Sequence, residues 1–184
     1  MTQRFRYGLF FFIPVIVILD QWSKWLILNE PKFNALGCLD QTQRCGEINV
    51  LPFFDLHMVW NRGISFGIGQ SEGLMRWLLV ILTTAIAIGF TVWLVRAARK
   101  LTGIALAMVI GGAFGNVIDR VRFGAVVDFL DFSGILRPYF FNYVFNVADA
   151  AISVGAVLLF ADQFLMSRQD KAAGAVTEDE ARTS

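Results

Sequence analysis

A single histidine, His57, and two cysteines, Cys38 and Cys45, are all that 184 residues offer of the commonest catalytic bases, thiol nucleophiles and soft metal ligands. His57 stands apart from any partner that would make a Ser-His or Cys-His pair, and both cysteines fall in a turn-rich polar stretch. His57 therefore reads as a loop or strand residue, and a metal centre lacks its usual donors. Charge is also scarce: Asp, Glu, Lys and Arg make up 17% of the chain and sum to +1. That balance leaves no electrostatic footprint for nucleic acid.

What is abundant is apolar. Hydrophobic residues are 56% of the chain and the mean hydropathy is +0.57, which fits a small integral membrane protein rather than a soluble domain. Four apolar segments, at about 7–28, 74–95, 101–118 and 145–166, are each long enough for a hydrocarbon core of about 30 Å. Arg96, Arg99 and Lys100 crowd the short loop between the second and third, a positive-inside signal that makes this loop cytoplasmic. With four crossings both termini are then cytoplasmic, in keeping with Arg4, Arg6, Arg168 and Lys171. Arg4 and Arg6 before an apolar run, with Cys38 after Ala35, Leu36 and Gly37, imitate a cleaved lipoprotein leader. Asp20, Lys24 and Pro31 intervene, so the first segment reads as an uncleaved helix. The expected architecture is all-α: one membrane domain over 1–168, a four-helix bundle, and a polar tail over 169–184 expected to be disordered.

Residues 30–73 are too long and irregular for a simple connection and read as an extracytoplasmic insert between the first two helices. Residues 48–60 have strand-like density of Val, Ile, Phe and Trp, and 61–67 are rich in turn formers. A small β element on the membrane surface is the expectation. Cys38 and Cys45 are either bonded to each other, if that side is oxidising, or two separate thiols.

Against this apolar background the polar residues stand out, above all across 111–152. Asp20 and Lys24 are one helical turn apart, acid first, either neutralising each other near the interface or facing a polar interior. Gly111 and Gly115 form a small-xxx-small pair that allows close helix approach. Asn116 and Asp119 share a face beside Arg120, and Asn146 and Asp149 share another. Asp128 is set among Val126, Val127, Phe129 and Leu130, where desolvation should raise its pKa. All of these, with Asn61, fall toward the outer leaflet although they come from five segments.

Ionisable groups at membrane depth are costly enough to be functional by default. Two facing carboxylates cannot both ionise readily, so one keeps a proton while the other acts as base toward water. Such a pair hydrolyses a peptide bond with no cofactor and no covalent intermediate. The residues themselves do not choose Asp128 over Asp119. A proton-coupled transporter relaying through Asp20, Asp119 and Asp149 is an alternative, as is a structural adaptor with polar glue between helices.

Five stretches carry a resemblance: Asp20 to Lys24, Asn61 to Phe66, Gly111 to Arg120, Val126 to Phe129, and Phe145 to Ile152. In order and type they resemble the bacterial lipoprotein signal peptidases, signal peptidase II. Ser65 and Ser23 are mild departures from that pattern. The resemblance implies an aspartic endopeptidase of the bacterial inner membrane that cuts prolipoproteins on the amino side of a diacylglyceryl-modified cysteine. It assigns the catalytic pair to Asp128 and Asp149, and makes Asp119 and Arg120 a supporting pair. Asp20, Lys24, Asn61, Gly63, Asn116 and Asn146 then shape the site or bind substrate. It implies no metal and no cofactor. The expected partners are the prolipoprotein substrate and membrane lipids, with no nucleic acid, and the chain is expected to act as a monomer with its site toward the extracytoplasmic side.

Overall fold

The computed structural model describes residues 3–41, 44–63, 72–132 and 143–183, with only the backbone described for 3–6, 44, 72 and 168–183. In chain order they form α1 (Gln3–Leu28), α2 (Pro31–Ala35), a 3₁₀ turn (Cys38–Asp40), β1 (Arg44–Leu51), β2 (Phe54–Asn61), α3 (Glu72–Arg96), α4 (Lys100–Phe123), β3 (Val126–Asp131), β4 (Val144–Phe145) and α5 (Val147–Thr183). Among them, four helical stretches are long and apolar enough to cross a membrane: Tyr7–Leu28, Gly73–Arg96, Lys100–Phe123 and Val147–Ser167.

Helix α4 is the axis of the bundle. Its apolar window is 67% buried, against 17–22% for the other three, so α1, α3 and α5 wrap it and turn their Phe, Leu and Ile faces outward. Leu9, Leu94, Leu106, Ala107 and Ile110 make the core at one end. Small residues of α4 serve two neighbours. Gly111 lies against Ile13 and Ile16 of α1, whereas a methyl group on Gly112 would strike the carbonyl oxygen of Ala148 on α5. A methyl group on Gly115 would sit 2.5 Å from Asp20 Oδ2. Close approach thus brings a buried carboxylate of α1 against α4, as well as backbone against backbone.

The helix runs five residues past the expected boundary at 118. Asp119 and Arg120 extend it, and it stops where Gly124 takes a left-handed conformation (φ 81°) and returns its N–H to Arg120 O at 3.1 Å. At the other limit, α5 begins at Val147 rather than 145 because Asn146 caps it. Its backbone continues as helix to Thr183, through 169–183 where disorder is the sequence expectation; the Ala-rich composition there favours helix locally.

The β element is larger than the insert. One antiparallel sheet has the order β1-β2-β3-β4, so two of its strands come from the link between α4 and α5. Register pairs Val59 with Asp128, Asn61 with Val126, and Leu130 with Phe145. Phe33, Met58, Trp60, Val127 and Phe129 form its apolar core with Ile27 of α1. Cys38 and Cys45 are disulfide-bonded, which resolves the alternative left open above. The indole N–H of Trp60 donates to Cys38 O at 2.8 Å. His57 lies in β2, 3.6 Å from an Asp131 carboxylate oxygen. Ser65 lies outside the described residues.

Candidate active site

The sheet meets the bundle where α1 and α4 end and α5 begins, and the polar residues gather there. Strand β3 carries Asp128 back over the end of α4 into a place where it is 2% exposed. Asn61, at the end of β2, donates to Asp128 Oδ2 at 2.9 Å. Asn146 donates to Asp128 Oδ1 at 2.6 Å. Gly63 (φ 95°) turns the chain so that its N–H reaches Asn61 Oδ1 at 2.9 Å, which fixes the Asn61 amide with its donor toward Asp128.

Asp149 is in the first turn of α5, half-buried. Its carboxylate accepts from Asn116 Nδ2 at 2.7 Å and from the backbone N–H of Asn146 at 3.3 Å. The Asn146 amide also donates to Asn116 Oδ1 at 3.2 Å. Asp128 and Asp149 are therefore joined through two amides, Asn146 and Asn116. Burial, and next the charge of Asp149, push the Asp128 carboxyl up to about 7; the amide hydrogen bonds and Lys24 oppose the rise without cancelling it. This agrees with the desolvation expected from its apolar neighbours.

Below the pair is a second layer. Lys24 Nζ lies 2.8 Å from Asp20 Oδ2, 2.8 Å from Asp119 Oδ2 and 3.2 Å from Asn116 Oδ1. All three charged side chains are at most 2% exposed, so Asp20 and Lys24 face a polar interior. The ion-pair partner of Asp119 is Lys24 of α1, not the adjacent Arg120. Consecutive helical residues point about 100° apart, which sends Arg120 elsewhere. Arg120 Nη1 donates to Asn116 O at a long 3.5 Å, and among the described residues its buried Nε finds no hydrogen-bond partner.

Gln21 is a member that composition and spacing missed. Its amide donates to Asp119 Oδ1 at 2.8 Å and to Gly115 O at 3.2 Å, and its oxygen accepts from Arg122 at 3.3 Å. Its position beside Asp20 was the only signal. Asp162 is buried at the opposite end of the bundle, held by Arg99 at 3.0 Å and by Thr102. Between the two ends neither α4 nor α5 carries an ionisable residue. Among the described residues no group of His, Cys, Asp and Glu is arranged to hold a metal ion.

The fold defines a four-helix membrane protein with a sheet closing one end. A bacterial membrane enzyme solved by the in meso method at 1.9 Å shares it, with a TM-score of 0.68 at 26% identity over 85% of this chain and 92% of that one. The profile for signal peptidase (SPase) II matches residues 12–165. The lipoprotein signal peptidase of Methylorubrum extorquens (strain PA1) is 44% identical, covering 86% of this chain and 85% of that protein. Its namesake in Methylobacterium radiotolerans is 43% identical, covering 93% and 94%. The chain belongs to the signal peptidase II family, and is a multi-pass membrane protease.

Proposed function

We propose that the chain removes signal peptides from prolipoproteins, cutting on the amino side of a diacylglyceryl-modified cysteine with Asp128 and Asp149 as the catalytic pair. The observation that carries this reading is the linkage of the two carboxylates through Asn146 and Asn116 at one end of the bundle. Family membership supports the substrate class.

On this reading Asp128 holds the proton and Asp149 enters as the carboxylate. Asp149 lies in the first turn of α5, at its positive end. Asp149 takes a proton from water as the oxygen attacks the scissile carbonyl carbon, and Asp128 gives its proton to the carbonyl oxygen. As the tetrahedral adduct collapses, Asp149 passes its proton to the departing nitrogen, the C–N bond breaks, and Asp128 recovers a proton from a hydroxyl. The pair ends with one proton, as it began. The positive loop after α3 supports cytoplasmic termini and an extracytoplasmic site. The substrate helix lies along α4 and α5 with its modified cysteine at the interface, and a single chain encloses the site.

The test is cleavage by purified protein in detergent of one prolipoprotein with and without its diacylglyceryl group. The reading expects cleavage next to the modified cysteine and little of the unmodified chain; equal cleavage of both removes the lipid from recognition. No cleavage, with proton flux in sealed vesicles, would favour a transporter.

A further inference from the structure

The layer beneath the pair touches backbone as well as side chains, and the two places it touches are related. Asp20 Oδ1 accepts the N–H of Ala148 at 2.9 Å, and Ala148 immediately precedes Asp149. Asp119 Oδ2 accepts the N–H of Val127 at 3.1 Å, and Val127 immediately precedes Asp128. Lys24 lies 2.8 Å from both of these buried carboxylates and so joins the two grips. The Ala148 N–H belongs to the first turn of α5, which has no acceptor within its own helix, and a carboxylate from α1 supplies one. Val127 lies in β3, and its N–H is taken by α4.

Resting on the function proposed above, we infer that Asp20, Lys24 and Asp119 form a clamp that sets the distance and orientation between Asp128 and Asp149 by holding the backbone one residue before each. They are positioning residues. One carboxylate grips the start of α5 and the other grips β3, so the separation of helix and strand is set by a single ammonium between two acids. Lys24 also reaches Asn116, whose amide holds Asp149, which ties the side-chain network to the same cation. An aspartyl pair depends on sub-ångström spacing, because one shared proton and one water must fit both carboxylates.

The clamp differs from generic support in predicting coupling across the site. Asp119→Asn keeps an oxygen for the Val127 N–H and leaves Asp20 and Lys24 as a balanced pair. Asp119→Leu keeps the size and removes the acceptor. The expected result is kcat within about threefold of wild type for Asp119→Asn and a loss of about tenfold to a hundredfold for Asp119→Leu, with KM little changed. Asp20→Asn and Asp20→Leu should divide in the same way. Amide hydrogen exchange reads the clamp whatever the protein cleaves. Asp119→Leu should speed exchange at Ala148, across Lys24, as well as at Val127, and Lys24→Met should speed both.

If wild type fails to cleave prolipoprotein, the proposed function falls while the exchange measurement still decides the clamp. Exchange at Ala148 unchanged in Asp119→Leu overturns it. So does an equal loss of kcat in the Asn and Leu variants, or a loss confined to KM. Should Asp119→Leu not fold, the Asp20 pair and Lys24→Met carry the same readouts.

Discussion

Asn146 and Asp149 cap each other at the start of α5: the Asp149 N–H donates to Asn146 Oδ1 at 2.9 Å, and the Asn146 N–H donates to Asp149 Oδ2 at 3.3 Å. This is the reciprocal geometry of a capping box, with Asp in place of the longer acid. Its consequence is that a carboxylate assigned to chemistry also closes a helix end, while the amide of its capping partner holds the other carboxylate, Asp128, at 2.6 Å. Start of helix and active site are one construction.

That double duty separates in mutants. Asn146→Ser keeps a capping oxygen but loses the amide donor to Asp128, whereas Asn146→Ala loses both. Thermal unfolding in detergent should show Asn146→Ala less stable than Asn146→Ser by about 1 kcal/mol. Both should lose most of their cleavage activity, which a peptide-cleavage assay on the same samples measures.

The pH dependence follows from Asp128. Its carboxyl stands at about 7 in the fold against an ordinary value of 3.8, so between those values the folded protein holds a proton that the unfolded chain does not. Stability should fall as pH rises from about 4 to about 7 and level off above, and Asp128→Asn should flatten that slope. Activity needs the protonated Asp128 and should decline as pH rises through about 7, which the rate profile of the pair as a unit will report.

Gly112→Ala should be among the most damaging conservative changes in the bundle. The added methyl meets the Ala148 carbonyl oxygen and Ile152, so α5 must shift and carry Asp149 with it. A loss of about 1–3 kcal/mol is expected from such overpacking. Gly89→Ala, with nothing within 4 Å of the new methyl, should be neutral or slightly stabilising, and unfolding curves of the two variants make the comparison.

The Cys38–Cys45 disulfide closes a loop whose Gln41 donates to Phe123 O at 3.3 Å and accepts from Arg62 at 3.4 Å. Arg62 follows Asn61, which holds Asp128. Replacing both cysteines by serine should lower stability by about 2–3 kcal/mol for a loop this short. Activity should fall less than in Asn61→Ala, and unfolding with and without reductant, on wild type and the double variant, checks the assignment.

Much of this was legible because membrane burial imposes simple rules. Long apolar runs and the Arg96, Arg99, Lys100 loop mark the four spans, and isolated polar residues such as Asp20 and Asn116 stand out against them. Hydropathy places the end of α4 at 118 because Asp119 and Arg120 look like a boundary, whereas the stop, Gly124, is a conformational signal. The third and fourth strands were hidden because β3 pairs with β2 across more than sixty residues, as Asn61 does with Val126, and local composition carries no information on such pairing. The resemblance pairs Asp119 with its neighbour Arg120, whereas the fold pairs it with Lys24, ninety-five positions away. The grips on Val127 and Ala148 involve backbone N–H groups, which no side-chain pattern can announce.

The most direct measurement is turnover of a diacylglyceryl-modified prolipoprotein by wild type, Asp128→Asn, Asp149→Asn and Asp119→Asn, each verified as folded by its unfolding curve. The account predicts that the first two substitutions each reduce kcat by at least about a hundredfold while Asp119→Asn stays within about threefold of wild type. Substantial cleavage by folded Asp128→Asn or Asp149→Asn would contradict the assignment of the pair.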